Sequence, residues 1–270
     1  MIVTNHYNLP QVIVDIAMRD MRTPEPQHYS ATELLKPIKE TVLWRRYYDI
    51  ITQDVSELLP AIYGTAFHTM LEGASTGDNE NRISHEICGV RLSGQYDRVE
   101  NYVLYDYKTT TVGKFTRGDF SDYKKQGLIY AWLLRKNGVY IEKMVFYMFL
   151  KDFKPSRYSV DVGFQIWEHY ITSQDLIEIE AYIMERIELL ERYKDTPDNE
   201  LPMPTLDESW YTGDKYAAMK NGQSRAIKLY DTMAEAQGKG DYVEIRKGEH
   251  MKCVYSEFFR DYVMNEKENI

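Results

Sequence analysis

The sequence predicts an α/β protein, a central mixed β-sheet flanked by helices, and four stretches carry the prediction. Residues 94–110 (GQYDRVENYVLYDYKTT) read as strand, turn, strand, and in the second strand Leu104, Asp106 and Lys108 alternate with Val103, Tyr105 and Tyr107. Residues 63–72 and 122–136 read as helices before and after this hairpin, the second closed by Asn137-Gly138. Residues 139–150 (VYIEKMVFYMFL) return to a strand pattern. Dense β-branched and aromatic residues at 102–107 place that strand centrally, buried on both faces.

Taken in order, residues 1–27 form a partly helical leader that ends at the Pro24/Pro26 break. Residues 31–49 are helical, interrupted near Pro37. In the helix at 63–72, Phe67, Met70 and Leu71 are expected to face the core, with His68 and Glu72 one turn apart. A two-residue turn at Glu100-Asn101 would pair Val99 with Tyr102 and Asp97 with Leu104. Asp97 and Asp106 would then be diagonal neighbours on one face, about 7–8 Å apart at the backbone.

Beyond the hairpin, Gln126 and Tyr130 share one helical face. A strand is expected at 157–162 and a long helix at 164–193, where Ile166, Tyr170, Leu176, Ile179, Ile183, Ile187 and Leu190 recur near helical spacing. A Pro-rich connection at 195–207 leads to a helix at 215–236, a strand at 242–246 and a final aromatic helix. The expected organisation is one domain, 1–270, with a leader at 1–27, a core at 28–150 and a helical C-terminal elaboration at 151–270.

The chemistry sits in the hairpin. Hard divalent cations take oxygen ligands, and Mg2+ is usually held by one or two carboxylates with water and phosphate completing its shell. Asp97 and Asp106 supply that number, and Lys108, one step along the strand face, can hold an attacking water or neutralise charge developing on a phosphate. A buried carboxylate and lysine need a partner or a metal, since an uncompensated buried charge costs several kcal/mol. His68 adds an imidazole, a good ligand for Mn2+ and a poor one for Mg2+.

In order, G-x-x-x-H at Gly64–His68, G-x-x-D at Gly94–Asp97, D-x-K at Asp106–Lys108 and Q-x-x-x-Y at Gln126–Tyr130 resemble the RecB-like branch of the PD-(D/E)XK nuclease superfamily. Ser30-Ala31-Thr32-Glu33-Leu34 is similar to the S-x-T-x-L segment that often opens these domains, so the likeness spans about 28–150 and marks Ser30 and Thr32 as candidate DNA contacts. The resemblance implies a restriction-endonuclease-like core. It implies His68, Asp97, Asp106 and the Tyr107 carbonyl as ligands of Mg2+ or Mn2+, with Glu72 acting behind them through water. Lys108 would position or activate the nucleophile, and Gln126 and Tyr130 would contact DNA near the scissile phosphate.

The implied activity is a metal-dependent DNA exonuclease in recombination, repair or genome processing, acting on single- or double-stranded DNA with ends. A structure-specific or flap endonuclease with the same site, and a silent DNA-binding module of the same fold, are the competing readings. Several members of the branch carry an iron–sulfur cluster held by four cysteines. This chain has only Cys88 and Cys253, so no cluster is expected.

A net charge of −9 would oppose a nucleic-acid partner if spread evenly, but Lys108, Lys114, Arg117, Lys124, Lys125, Arg135 and Lys136 concentrate after the hairpin and make Lys114, Arg117, Lys124 and Lys125 candidate DNA contacts. No membrane span or signal pattern is present, and two separated cysteines give no disulfide framework, so a cytoplasmic protein is expected. No G-x-x-x-x-G-K-[ST] motif occurs, so DNA unwinding would fall to a helicase or recombination partner.

Overall fold

The computed structural model describes residues 1–19, 21–74, 78–155 and 160–265, the side chains of 72, 74 and 78–81 excepted. The chain divides into two units, 1–201 and 202–270. The first runs β1 (Ile2–Thr4), α1 (Gln11–Arg19), β2 (His28–Ser30), α2 (Ala31–Leu34), α3 (Ile38–Tyr47), β3 (Thr52–Asp54), α4 (Val55–Ala74), β4 (Asp78–Ile87), β5 (Val90–Glu100), β6 (Val103–Thr110), α5 (Val112–Arg117), α6 (Ser121–Lys136), β7 (Lys143–Leu150), β8 (Phe164–Tyr170) and α7 (Ser173–Tyr193). The second holds β9 (Lys215–Met219), β10 (Lys228–Tyr230), α8 (Met233–Ala236), β11 (Tyr242–Arg246) and α9 (Met251–Tyr255), followed by a π-helical turn at Phe259–Met264.

The central sheet of the first unit is mixed, as expected. β6 and β7 run parallel, β7 and β8 antiparallel, and β2 joins β5 in parallel. β4 occupies one edge of β5 along its length. β2 at 91–93 and β6 at 98–100 must therefore share the other edge, and between them Gly94–Asp97 have no ladder pairing on that side among the described strands. The local break in the ladder falls on the G-x-x-D segment.

One sheet face, carrying Leu104, Asp106, Met144, Phe146 and Met148, is buried. α6 packs against it and against α7, with Leu128–Leu134 all buried and the Trp132 indole N–H donated to Glu180 at 2.9 Å. Gly127 sets the approach of α6 to β7, because a Cβ there would lie 2.6 Å from Met144 Sδ and 3.0 Å from the Phe146 ring.

Several expectations are corrected. The hairpin turn is Asn101-Tyr102, both with positive φ (49° and 64°), one residue later than predicted, so Val99 pairs with Leu104 and not with Tyr102. The register slips by two residues, which preserves the face of every side chain. Residues 164–170 form β8 and not the start of a helix, and α7 begins only at Ser173. Ile166 and Tyr170 are four apart, a spacing that fits both a helical turn and one face of a strand. The true start signal is the capping box of Thr172 and Asp175.

Of the strand expected at 157–162, residues 157–159 lie outside those described, and 160–162 form no strand but lead by a bend into β8. Residues 215–236 form β9, β10 and the short α8 instead of one helix, broken at Asn221-Gly222 where Gly222 has φ of 77°. The C-terminal segment is thus built on a three-stranded antiparallel sheet, where a helical elaboration was expected. In α4, Phe67 and Met70 are exposed and not core-facing, although Phe67 meets the Phe149 ring at 5.1 Å.

Asp175 ties α7 to its surroundings. Its carboxylate accepts from Thr172 N at 2.9 Å, pairs with Lys124 at 2.9 Å and lies 3.1 Å from His169 Nε2. Burial opposes its charge, but the hydrogen bonds from Thr172, Lys124 and His169 overcome burial and hold the carboxyl well below the usual carboxylate range. A folded pKa below the unfolded one gives stability that is full above about pH 4 and is lost as pH falls through the folded value. Asp175→Ala is expected to cost about 2 kcal/mol at pH 7 through the lost cap and charge-assisted bonds. Urea unfolding at pH 7 and pH 3 should show the gap between variant and wild type shrinking in acid.

Candidate active site

The break in the β5 edge positions the first carboxylate. Where the ladder pairing with β6 has ended, Asp97 Oδ2 itself accepts the Tyr107 backbone N–H at 2.6 Å. Asp97 Oδ1 lies 3.1 Å from His68 Nδ1, which α4 brings over the sheet. Continuing the observed register from Val99 and Leu104 sets Asp97 level with Asp106. Asp106 is 3 % exposed, and its Oδ2 stands 2.7 Å from Lys108 Nζ. That ion pair is close but poorly aligned, and Asp106 Oδ2 is left without a directed hydrogen bond.

The helix α6 completes the constellation. Lys108 Nζ donates to Gln126 Oε1 at 2.8 Å, and Gln126 Nε2 donates to the Tyr130 hydroxyl at 2.9 Å. Gly94 explains why the G-x-x-D and Q-x-x-x-Y motifs occur together. A Cβ at Gly94 would lie 2.8 Å from two Tyr130 ring carbons and 3.0 Å from Leu133. The missing side chain is the space into which Tyr130 packs.

Burial and mutual charge shift the titrations. Asp106 is pushed up to about 6, first by burial and then by the charge of Asp97, against the pull of Lys108. Burial works against the Lys108 ammonium, but Asp106 and Asp97 overcome it and raise its pKa, so Lys108 is a cation and a donor at neutral pH. Burial likewise opposes protonated His68, and the bonded Asp97 carboxylate outweighs it and raises the imidazole. Burial, then Asp106, push the Tyr130 phenol up to about 12.

Among the described residues no three His, Cys, Asp or Glu side chains converge as a ready cluster of metal ligands. His68 is turned onto Asp97, and Asp106 onto Lys108. The donor chemistry nevertheless fits a divalent cation: two carboxylates, a neighbouring main-chain carbonyl and an imidazole, with Asp106 Oδ2 a buried oxygen lacking a directed partner. The Glu72 side chain lies outside the described part of the structure.

The remaining sequence candidates divide. Ser30 spends its hydroxyl as the N-cap of α2, in a capping box with Glu33, and contacts Thr32 at 3.1 Å. Lys124 is held by Asp175. Lys114 stacks over Tyr123 at 4.6 Å, Lys125 over Tyr182 at 4.9 Å, and Arg117 closes the last turn of α5. Tyr123 escaped the sequence reading. Its ring also lies 5.4 Å from Lys108 Nζ, and its place one turn before Gln126 was the available signal.

Residues 74–201 match the PD-(D/E)XK nuclease superfamily. This segment belongs to that superfamily. No curated protein sequence matches the chain. Among solved structures, one described as SSO0001 superposes with a TM-score of 0.50 at 18% identity, over 69% of this chain and 86% of that one, and shows the shared fold. A phage related exonuclease from Haemophilus somnus 129PT gives a TM-score of 0.43 at 14% identity over 65% and 96% of the two chains. The alkaline exonuclease LHK-Exo from Laribacter hongkongensis gives 0.41 at 14% identity over 63% and 90%. PD-(D/E)XK nucleases generally use divalent metal ions, in keeping with the donor set at Asp97 and Asp106. Among the described residues no helix is long and apolar enough to cross a membrane.

Proposed function

We propose that the protein is a DNA exonuclease of the RecB-like branch, dependent on Mg2+ or Mn2+, with DNA ends as its substrate and a part in recombination, repair or genome processing. The observation that carries the reading is the buried Asp106–Lys108 pair continued through Gln126 to Tyr130 beside Asp97. A solvated strand face has no use for such a chain of contacts.

Asp97, Asp106, the Tyr107 carbonyl and His68 would hold the cation, His68 after losing its proton, and the cation would acidify a water and polarise the phosphate. The Tyr107 N–H fixes the Asp97 carboxylate, and Gln126 fixes the Lys108 ammonium. As a cation, Lys108 donates to the attacking oxygen and to charge gathering on the phosphate. Water oxygen bonds to phosphorus and releases a proton to solvent, the bond to the leaving sugar oxygen breaks, and that oxygen takes up a proton from solvent, so that one proton passes net from water to the sugar hydroxyl. Any unwinding is left to a helicase partner.

Purified protein with Mn2+ or Mg2+ is expected to shorten end-labelled linear DNA, to stop on addition of a chelator, and to spare a covalently closed circle. Nicking of the circle would replace the exonuclease reading with an endonuclease. DNA binding without hydrolysis under any metal would leave a silent binding module.

A further inference from the structure

Resting on the nuclease reading, we infer that a cleft between α1, α3 and α4 is a subsite for one unpaired base of the substrate, next to the scissile phosphate. The cleft has a volume of about 270 Å3 and is lined by Arg22, Trp44, Tyr48, Gln53, Ile62 and Thr65 among others. That is below the roughly 300–1,000 Å3 of sites for drug-sized ligands, a scale that suits a single ring system. Its lining matches a nucleobase, which is apolar on its faces and polar at its edges. Trp44 and Tyr48, edge-on at 6.2 Å, and Ile62 provide apolar and aromatic walls, while the Gln53 amide both donates and accepts.

Two connections, one along α4 and one through a hydrogen bond to β5, set the cleft beside the cleavage chemistry. On α4, Thr65 lies one turn before His68. On β5, Gln95 accepts from the Arg22 guanidinium at 3.0 Å and stands two residues from Asp97, within the stretch whose ladder pairing is interrupted between β2 and β6. A nucleotide whose phosphate reaches Asp97 therefore carries its base toward this cleft, and a paired base cannot enter it. Positive charge from Arg22 and from Lys36, 5.4 Å over the Trp44 ring, suits the phosphodiester chain beside it.

The test uses single-stranded oligonucleotides that are identical except for a normal or an abasic nucleotide flanking the cleaved bond. Wild type is expected to show a KM about ten-fold higher for the abasic substrate with kcat little changed, because base–aromatic stacking contributes binding. Ala61→Trp, which fills the cleft from a position outside the chemistry, should bring the two KM values together by weakening the normal substrate. If that variant misfolds, Trp44→Leu serves the same comparison. Equal KM values for the two substrates in wild type would overturn the subsite while leaving the nuclease reading intact. Wild type that cleaves neither substrate would overturn both.

Discussion

Lys108→Met is expected to reduce the single-turnover rate of DNA hydrolysis by three orders of magnitude or more, with the fold retained but weakened. Removing one preorganised donor aimed at developing charge costs about 10²–10³ in rate. Here the loss extends further, because Lys108 also sets the neighbouring groups: its ammonium stands 2.7 Å from Asp106 and donates to Gln126 at 2.8 Å. Without it, Asp106, already pushed up by burial and by Asp97, loses the one cation that draws it down most strongly and rises further. A carboxylate that is protonated at neutral pH serves poorly as a ligand.

The stability cost separates this account from a merely structural lysine. Breaking one partner of a buried pair costs about 3–5 kcal/mol, because the other charge is left uncompensated. In the double variant Asp106→Asn/Lys108→Met neither member of the pair is charged, so urea unfolding should recover most of the stability lost in Lys108→Met. Activity should stay absent. A double variant that regained hydrolysis would show that neither residue acts in the chemistry.

The same pair shows what the sequence could reveal. Alternation along residues 103–108 put Asp106 and Lys108 on one face whatever the turn, because parity survives a slip of two residues. The turn itself was misplaced because Asn101-Tyr102 lacks the glycine that usually marks two positive φ values in succession. Ile166 and Tyr170 fit two periods at once, so β8 was absorbed into a helix, and only the tertiary pairing of β7 with β8 decides between them. Side-chain partnerships were the least legible. Nothing in the order of residues says that His68 turns onto Asp97, that Lys124 is drawn to Asp175, or that the Tyr123 ring carries Lys114 beside Lys108.

Gly94→Ala is expected to reduce hydrolysis by about 100-fold, although the residue touches no reacting atom. The backbone at Gly94 does not need glycine, since its φ lies outside the left-handed region. The obstacle is space: an added Cβ meets the Tyr130 ring at 2.8 Å and Leu133 at 3.0 Å, and both residues are buried in α6. Neither can yield unless α6 shifts, and α6 carries the Gln126 that holds Lys108. A displacement near 1 Å in a positioning group can cost on the order of 10² in rate, and overpacking a core typically costs about 1–3 kcal/mol. If the ring transmits the effect, the stability penalty of Gly94→Ala should fall by at least half in a Tyr130→Ala background, measured by a double-mutant cycle in urea. An undiminished penalty there would assign the clash to Leu133 alone and sever the proposed link between the glycine of one motif and the tyrosine of the other.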